Sequence, residues 1–133
     1  MIQRIQTVWL FLTAVLSGLL LFMPITEKVN SEVSSSFPFD MLFMIGNAVI
    51  AVLAVIALFL YKNRPLQIKL SYGLFVLLIL SCVTIAYYIW TSPTDITYKY
   101  PIVFPVIAII FDLLAIHSIK KDEKLVRSLD RLR

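Results

Sequence analysis

One acid, Asp112, stands inside the otherwise uncharged run 100–119. A carboxyl in such a run can relay a proton or cation, or it can hydrogen-bond a neighbouring helix as structural glue. An ionised side chain at mid-helix in lipid costs roughly 2.5–3.5 kcal/mol on insertion scales, so the group is expected to face other helices rather than lipid. Counting from Lys120 at about 1.5 Å per residue places Asp112 roughly 12 Å from the nearest cation on its own helix, beyond easy reach. The same counting puts Thr13 and Ser81 at similar depth, and Asn47 roughly 7 Å further from the charged end. Structural glue, a bond to Asn47, Thr13 or Ser81 worth about 0.6–2 kcal/mol, is the preferred reading, because a working ion pathway normally shows more than one ionisable group.

Other chemistry is thinly supplied. His117 is five residues from Asp112 and so points to another face of a helix. It has no second His, Cys or acid at ligand spacing, and no metal site is expected. The single Cys82 allows neither an intrachain disulfide nor a two-cysteine redox motif. Phosphate-cradling glycine loops, a nucleophile elbow and HExxH are all missing from the sequence, so no cofactor and no enzyme activity are expected of the chain.

The densest chemistry is the tail, residues 119–133. Its cations Lys120, Lys121, Lys124, Arg127, Arg131 and Arg133 outnumber Asp122, Glu123 and Asp130. Leu125, Leu129 and Leu132, at i, i+4 and i+7, mark one apolar stripe of a helix that continues the preceding span, and Glu123 and Arg127 form an i,i+4 pair. A basic amphipathic helix of this kind can lie on anionic lipid headgroups, fill a groove on a partner protein, or meet RNA phosphate, as on a ribosome. Lipid contact and topology anchoring are the simplest expectation, a protein partner the next, and RNA has no further support in the sequence.

These groups need elements to position them. At 133 residues, 60% hydrophobic and 15% charged, the chain is too apolar for a soluble domain. Crossing a bilayer takes about 20 apolar helical residues. Four uncharged runs satisfy that: 5–26, 41–61, 70–94 and 100–119, the last broken only by Asp112. The expectation is one all-α domain over 1–133, an integral membrane four-helix bundle with spans at about 6–24, 41–61, 70–90 and 101–118 and the tail beyond. No small-x-small cleavage site follows Phe22, so the first run reads as a retained span rather than a signal peptide. With both termini cytoplasmic, Arg4, Lys62, Arg64, Lys69 and the six tail cations lie inside and only Lys28 and Lys99 outside, which is the asymmetry of an N-in, C-in protein. Trp9, Tyr61, Tyr72, Tyr87, Tyr88, Trp90, Tyr98 and Tyr100 all fall near span ends, as aromatic belts require.

Smaller signals shape the expected packing. Ala48, Ala51, Ala54 and Ala57 would make a smooth ridge, and Ala14 with Gly18 a small pair admitting a close neighbour. Pro65 is expected to end the second span, Pro101 to start the fourth, and Pro105 to kink it. The serine-bearing segment 25–39 and the shorter 91–99 are the outer connections.

The opening Met1-Ile-Gln-Arg-Ile-Gln-Thr7 and the closing Ile119-Lys-Lys-Asp-Glu-Lys-Leu-Val-Arg-Ser-Leu-Asp-Arg-Leu-Arg133 resemble the termini of a small membrane family of the bacterial phylum Bacteroidota, domain-of-unknown-function family 4293. The resemblance covers the whole chain. It implies an inner-membrane location and supplies no reaction and no site residues. The function expected on these grounds is that of a small accessory or scaffold subunit of a larger bacterial inner-membrane complex, binding other membrane subunits through its helix faces and basic tail. The alternative is a small oligomeric transporter or channel subunit using Asp112 as an intramembrane proton or cation site.

Overall fold

The computed structural model describes residues 2–23, 26–28, 38–91, 96–98 and 100–132. Four helices carry the architecture: α1 (Ile2–Phe22), α2 (Pro38–Phe59), α3 (Arg64–Thr91) and α4 (Phe104–Arg131). Each packs antiparallel on its neighbour in sequence, and α4 closes the ring against α1, so the bundle is up-down-up-down with the diagonal pairs barely touching. Two three-residue strands, β1 (Thr26–Lys28) and β2 (Ile96–Tyr98), pair antiparallel with Glu27 opposite Thr97. This short ribbon ties the connection after α1 to the one before α4, and it defines the ribbon end of the bundle. The opposite end, with Arg64 and the tail, is the basic end. Residues 29–37, together with Pro24, Pro93, Lys99 and Arg133, lie outside the described residues, as does most of both outer connections.

The buried positions explain why the helices associate as they do. On α1 they include Gln6, Leu10, Thr13, Ser17 and Leu20; on α2 Asn47, Ile50, Ala54 and Ala57; on α3 Gln67, Ser71, Leu74, Leu78 and Ser81; on α4 Pro105, Ala108, Asp112, Ala115, Ile119 and Asp122. Every series alternates steps of three and four. That 3.5-residue repeat keeps one narrow seam of each helix facing the bundle axis, and it is the spacing a left-handed supercoil preserves. The outward faces, among them Phe11, Val52, Phe59, Val76, Trp90 and Ile110, are exposed and apolar, while the seams hold many polar side chains. Such a surface suits lipid, and α1, α2 and α3 are each long and apolar enough to cross a membrane. In α4 the apolar stretch ends at Ile119 and carries Asp112.

Several local expectations are corrected. The alanines of α2 do not form one ridge: a step of three residues drifts round a 3.6-residue helix, so Ala54 and Ala57 are buried while Ala48 and Ala51 are only half-buried. Gly18 admits no close neighbour within the molecule, since a methyl group there would meet nothing within 4 Å. Pro65 does not end α2. A 3-10 turn over Leu60–Lys62 does that, and Pro65 occupies the first turn of α3, where its missing N–H has no helical acceptor to lose. The same physics moves the start of α4. Tyr100–Val103 is 3-10, and Pro105 rather than Pro101 fills the first-turn position, so Pro105 starts the helix instead of kinking it.

Candidate functional site

Two places concentrate side chains with chemical capacity: the buried polar seam around Asp112, and the basic end with its projecting helix. The register that relates them follows from cross-helix contacts. Arg64 Nη1 lies 3.0 Å from Asp122 Oδ2, pairing the start of α3 with α4. Gln6 Nε2 donates to the Ser118 carbonyl at 3.3 Å, pairing α1 with α4. Gln67 Nε2 donates to the Ala57 carbonyl at 3.0 Å, pairing α3 with α2.

Counting from these pairs sets Leu74 and Ile50 level with Asp112, and the seam of α1 passes that level between Leu10 and Thr13. Trp9 stacks on Phe111, the residue beside Asp112, with ring centroids 5.6 Å apart, so Trp9 serves the bundle interior more than a headgroup belt. Asp112 is fully buried, and neither carboxyl oxygen has a hydrogen-bond partner among the described residues. The expected interhelical bonds are not formed. Thr13 Oγ1 donates to the Trp9 carbonyl at 3.0 Å and Asn47 Nδ2 to the Phe43 carbonyl at 2.9 Å, each back-bonding within its own helix. Ser81, Ser71 and Asn47 instead contribute the buried, unpartnered atoms Ser81 Oγ, Ser71 Oγ and Asn47 Oδ1.

The register also reorders depth. Ser81 falls opposite Pro105, about 10 Å toward the ribbon end from Asp112, and Asn47 lies about 4.5 Å away on that side. Ser71, absent from the sequence-based set, is about 4.5 Å from Asp112 toward the basic end, followed by Gln67 and then the Arg64–Asp122 pair. All of them occupy seam positions, so the three-four spacing was the signal that could have found them. A metal cage is not assembled: no group of three potential ligands occurs among the described residues.

At the basic end α4 leaves the bundle. Ile119 is fully buried and Asp122 is 8% exposed, whereas every residue from Lys124 to Leu132 is exposed. The helix therefore projects about 15 Å past Asp122. Its stem is braced by the Arg64–Asp122 pair and by the Lys120 ammonium 4.9 Å over the Tyr72 ring. Beyond the stem, Leu125, Leu129 and Leu132 are exposed along one side, Leu132 to 84%. Lys120, Lys124, Arg127 and Arg131 repeat at i, i+4, i+7 and i+11, and with Glu123 and Ser128 line a shallow surface depression. At 100° per residue this cationic row is roughly opposite the leucines. Arg127 is paired with Glu123 at 2.8 Å; Lys121, Lys124 and Arg131 make no ion pair among the described residues. His117 is exposed on the outer face of α4, away from Asp112.

Comparison with curated proteins and with solved structures finds no match. One family model does match, over residues 2–132, and so takes in both the seam and the projecting helix. On that near-complete match the chain belongs to DUF4293, a family described as a domain of unknown function.

Proposed function

We propose that the protein is a small accessory or scaffold subunit of a larger bacterial inner-membrane complex, acting by binding rather than by catalysis. In this reading α4 is the fourth span, both termini are cytoplasmic, and the basic end faces the cytoplasm, in keeping with the ten cations that gather there in the sequence. The observation that carries the proposal is the projection of α4. A helix whose bundle seam has run out, yet which keeps Leu125, Leu129 and Leu132 exposed on one side and a cationic row on the other, has an apolar face suited to a partner helix or groove. Lys121, Lys124 and Arg131 would meet partner carboxylates or anionic headgroups, with Arg133 expected to join them.

The test is co-purification in gentle detergent from native membranes, comparing the parent chain with Leu125→Ser/Leu129→Ser/Leu132→Ser. A defined partner set should be recovered with the parent and lost with the variant, while membrane insertion is unchanged. Identical recovery from both would sink the proposal.

The second reading is a small oligomeric transporter or channel subunit with Asp112 as the coupling residue. It draws on the burial of that carboxyl without a protein donor, an arrangement that leaves any charge to be met by a proton or cation. Asp112→Asn separates the readings, because a transport protein should lose its activity and a scaffold should keep its partners.

A further inference from the structure

The cations of the projecting helix do not all stand at one depth. The apolar stretch of α4 ends at Ile119, so Lys120 and Lys124 rise about 1.5 and 7.5 Å past it, and Arg127 and Arg131 about 12 and 18 Å. The headgroup layer on each side of a bilayer is about 5–7.5 Å thick, half the difference between a core of about 30 Å and a full width of about 40–45 Å. Lys120 and Lys124 therefore stand within that layer, and the two arginines stand beyond it. The lysines also lack an acid. Glu123, which lines the same depression, is held by Arg127 at 2.8 Å, and Asp122 is held by Arg64 at 3.0 Å. Neither Lys120 nor Lys124 makes an ion pair among the described residues. The Lys120 ammonium sits 4.9 Å over the Tyr72 ring instead, which fixes it at the boundary between α3 and α4.

From the lysines toward the ribbon end the two helices present apolar rows. Leu113 and Val106 precede Lys120 by seven and fourteen residues, which places them within about 20° and 40° of its direction on α4; Tyr72, Ile79 and Val83 share one side of α3 by the same spacing. All five are exposed. Because α3 packs on α4 and Lys120 meets Tyr72, the two rows run side by side. From Tyr72 to Val83 they cover about 16 Å, the hydrocarbon depth of one leaflet.

We infer that the α3–α4 boundary at the basic end binds an anionic phospholipid, with the phosphate between Lys120 and Lys124 and an acyl chain along the rows Tyr72–Val83 and Leu113–Val106. Charge and depth together select this occupant. Cations near the bilayer surface attract anionic lipids, and basic pockets between spans take their headgroups. A second copy of the chain in the same membrane would set like charges against each other. A soluble acidic protein or an RNA would meet Arg127 and Arg131, which stand clear of the headgroups, before it met the two lysines. The inference rests on the proposed function only in taking α4 as a span whose basic end lies at the membrane surface. It requires no protein partner, and it leaves the leucine stripe on the opposite side of α4 unused.

The test uses the full chain with a fluorophore at Ile110→Cys, an exposed position beside the Leu113–Val106 row, in a Cys82→Ser background. It is reconstituted in phosphatidylcholine vesicles containing a small fraction of chain-nitroxide lipid with either a phosphatidylglycerol or a phosphatidylcholine headgroup, in salt of about 0.15 M, where charges more than about 8 Å apart are screened. Quenching should be several-fold more effective with the phosphatidylglycerol form. Lys120→Gln/Lys124→Gln should remove that preference, each lysine accounting for about five-fold at most, and Arg127→Gln/Arg131→Gln should keep it. Equal quenching by both lipids in the parent shows α4 in the bilayer without a selective site and overturns the inference alone. No quenching by either lipid overturns it together with the fourth span. A preference that survives the lysine changes, or that falls equally in both double variants as diffuse attraction to the whole tail would make it, also overturns the inference. The comparison of the two lipids on the parent chain decides the matter if a variant does not fold.

Discussion

Arg64, at the first position of α3, and Asp122, eighteen residues into α4, bring Nη1 and Oδ2 to 3.0 Å and so fix where the bundle stops and the projecting helix begins. Both groups are largely buried, so removing one partner leaves the other charge partly desolvated. Asp122→Ala should destabilise the fold by about 1–3 kcal/mol, below the range for a fully buried pair because of residual solvent access. Hydrogen exchange should rise across 115–131 and little elsewhere. Adding Arg64→Ala to that variant should cost less than Arg64→Ala alone; equal costs would show that the two residues do not interact.

Asp112 gives a contrasting expectation. Neither of its oxygens receives a hydrogen bond from the described residues, so Asp112→Asn removes no hydrogen bond to them. Its unfolding midpoint in detergent should match the parent within about 1 kcal/mol. A loss of several kcal/mol would mean that the carboxylate is the anchor of a bonded network after all.

Gly18 offers a cheap check on the surface of α1. A methyl group there meets nothing within the molecule, and alanine is the better helix former, so Gly18→Ala should stabilise the monomer by about 0.5–1 kcal/mol. Should the variant instead lower an oligomer's stability, that face of α1 is where copies of the chain pack together.

Topology is tested by cysteine labelling in a Cys82→Ser background. Asn63 and Lys124 are both exposed at the basic end. Asn63→Cys and Lys124→Cys should therefore react with an impermeant maleimide only from the cytoplasmic side. Opposite sidedness for the two would remove α4 from the set of spans.

Composition and the uncharged runs were enough to establish an all-α chain with membrane-length helices, because burying backbone in lipid demands long apolar helical segments whatever their neighbours are. The Glu123–Arg127 pair and the leucine stripe were equally legible, since residues three and four apart on one helix meet without help from the rest of the fold. What the sequence could not decide was register and seam choice. Counting along the sequence puts Ser81 level with Asp112 and does not single out Ser71, because depth counted separately on each helix carries an error of a turn or more that only contacts such as Arg64 with Asp122 and Gln67 with Ala57 remove. Thr13 and Asn47 were expected to serve Asp112, and they turned instead to carbonyls one turn back on their own helices, a local bond always within reach. Local chemistry thus determined the helices and the tail, while the tertiary packing alone decided which polar atoms share the interior and that Asp112 is left without a protein donor.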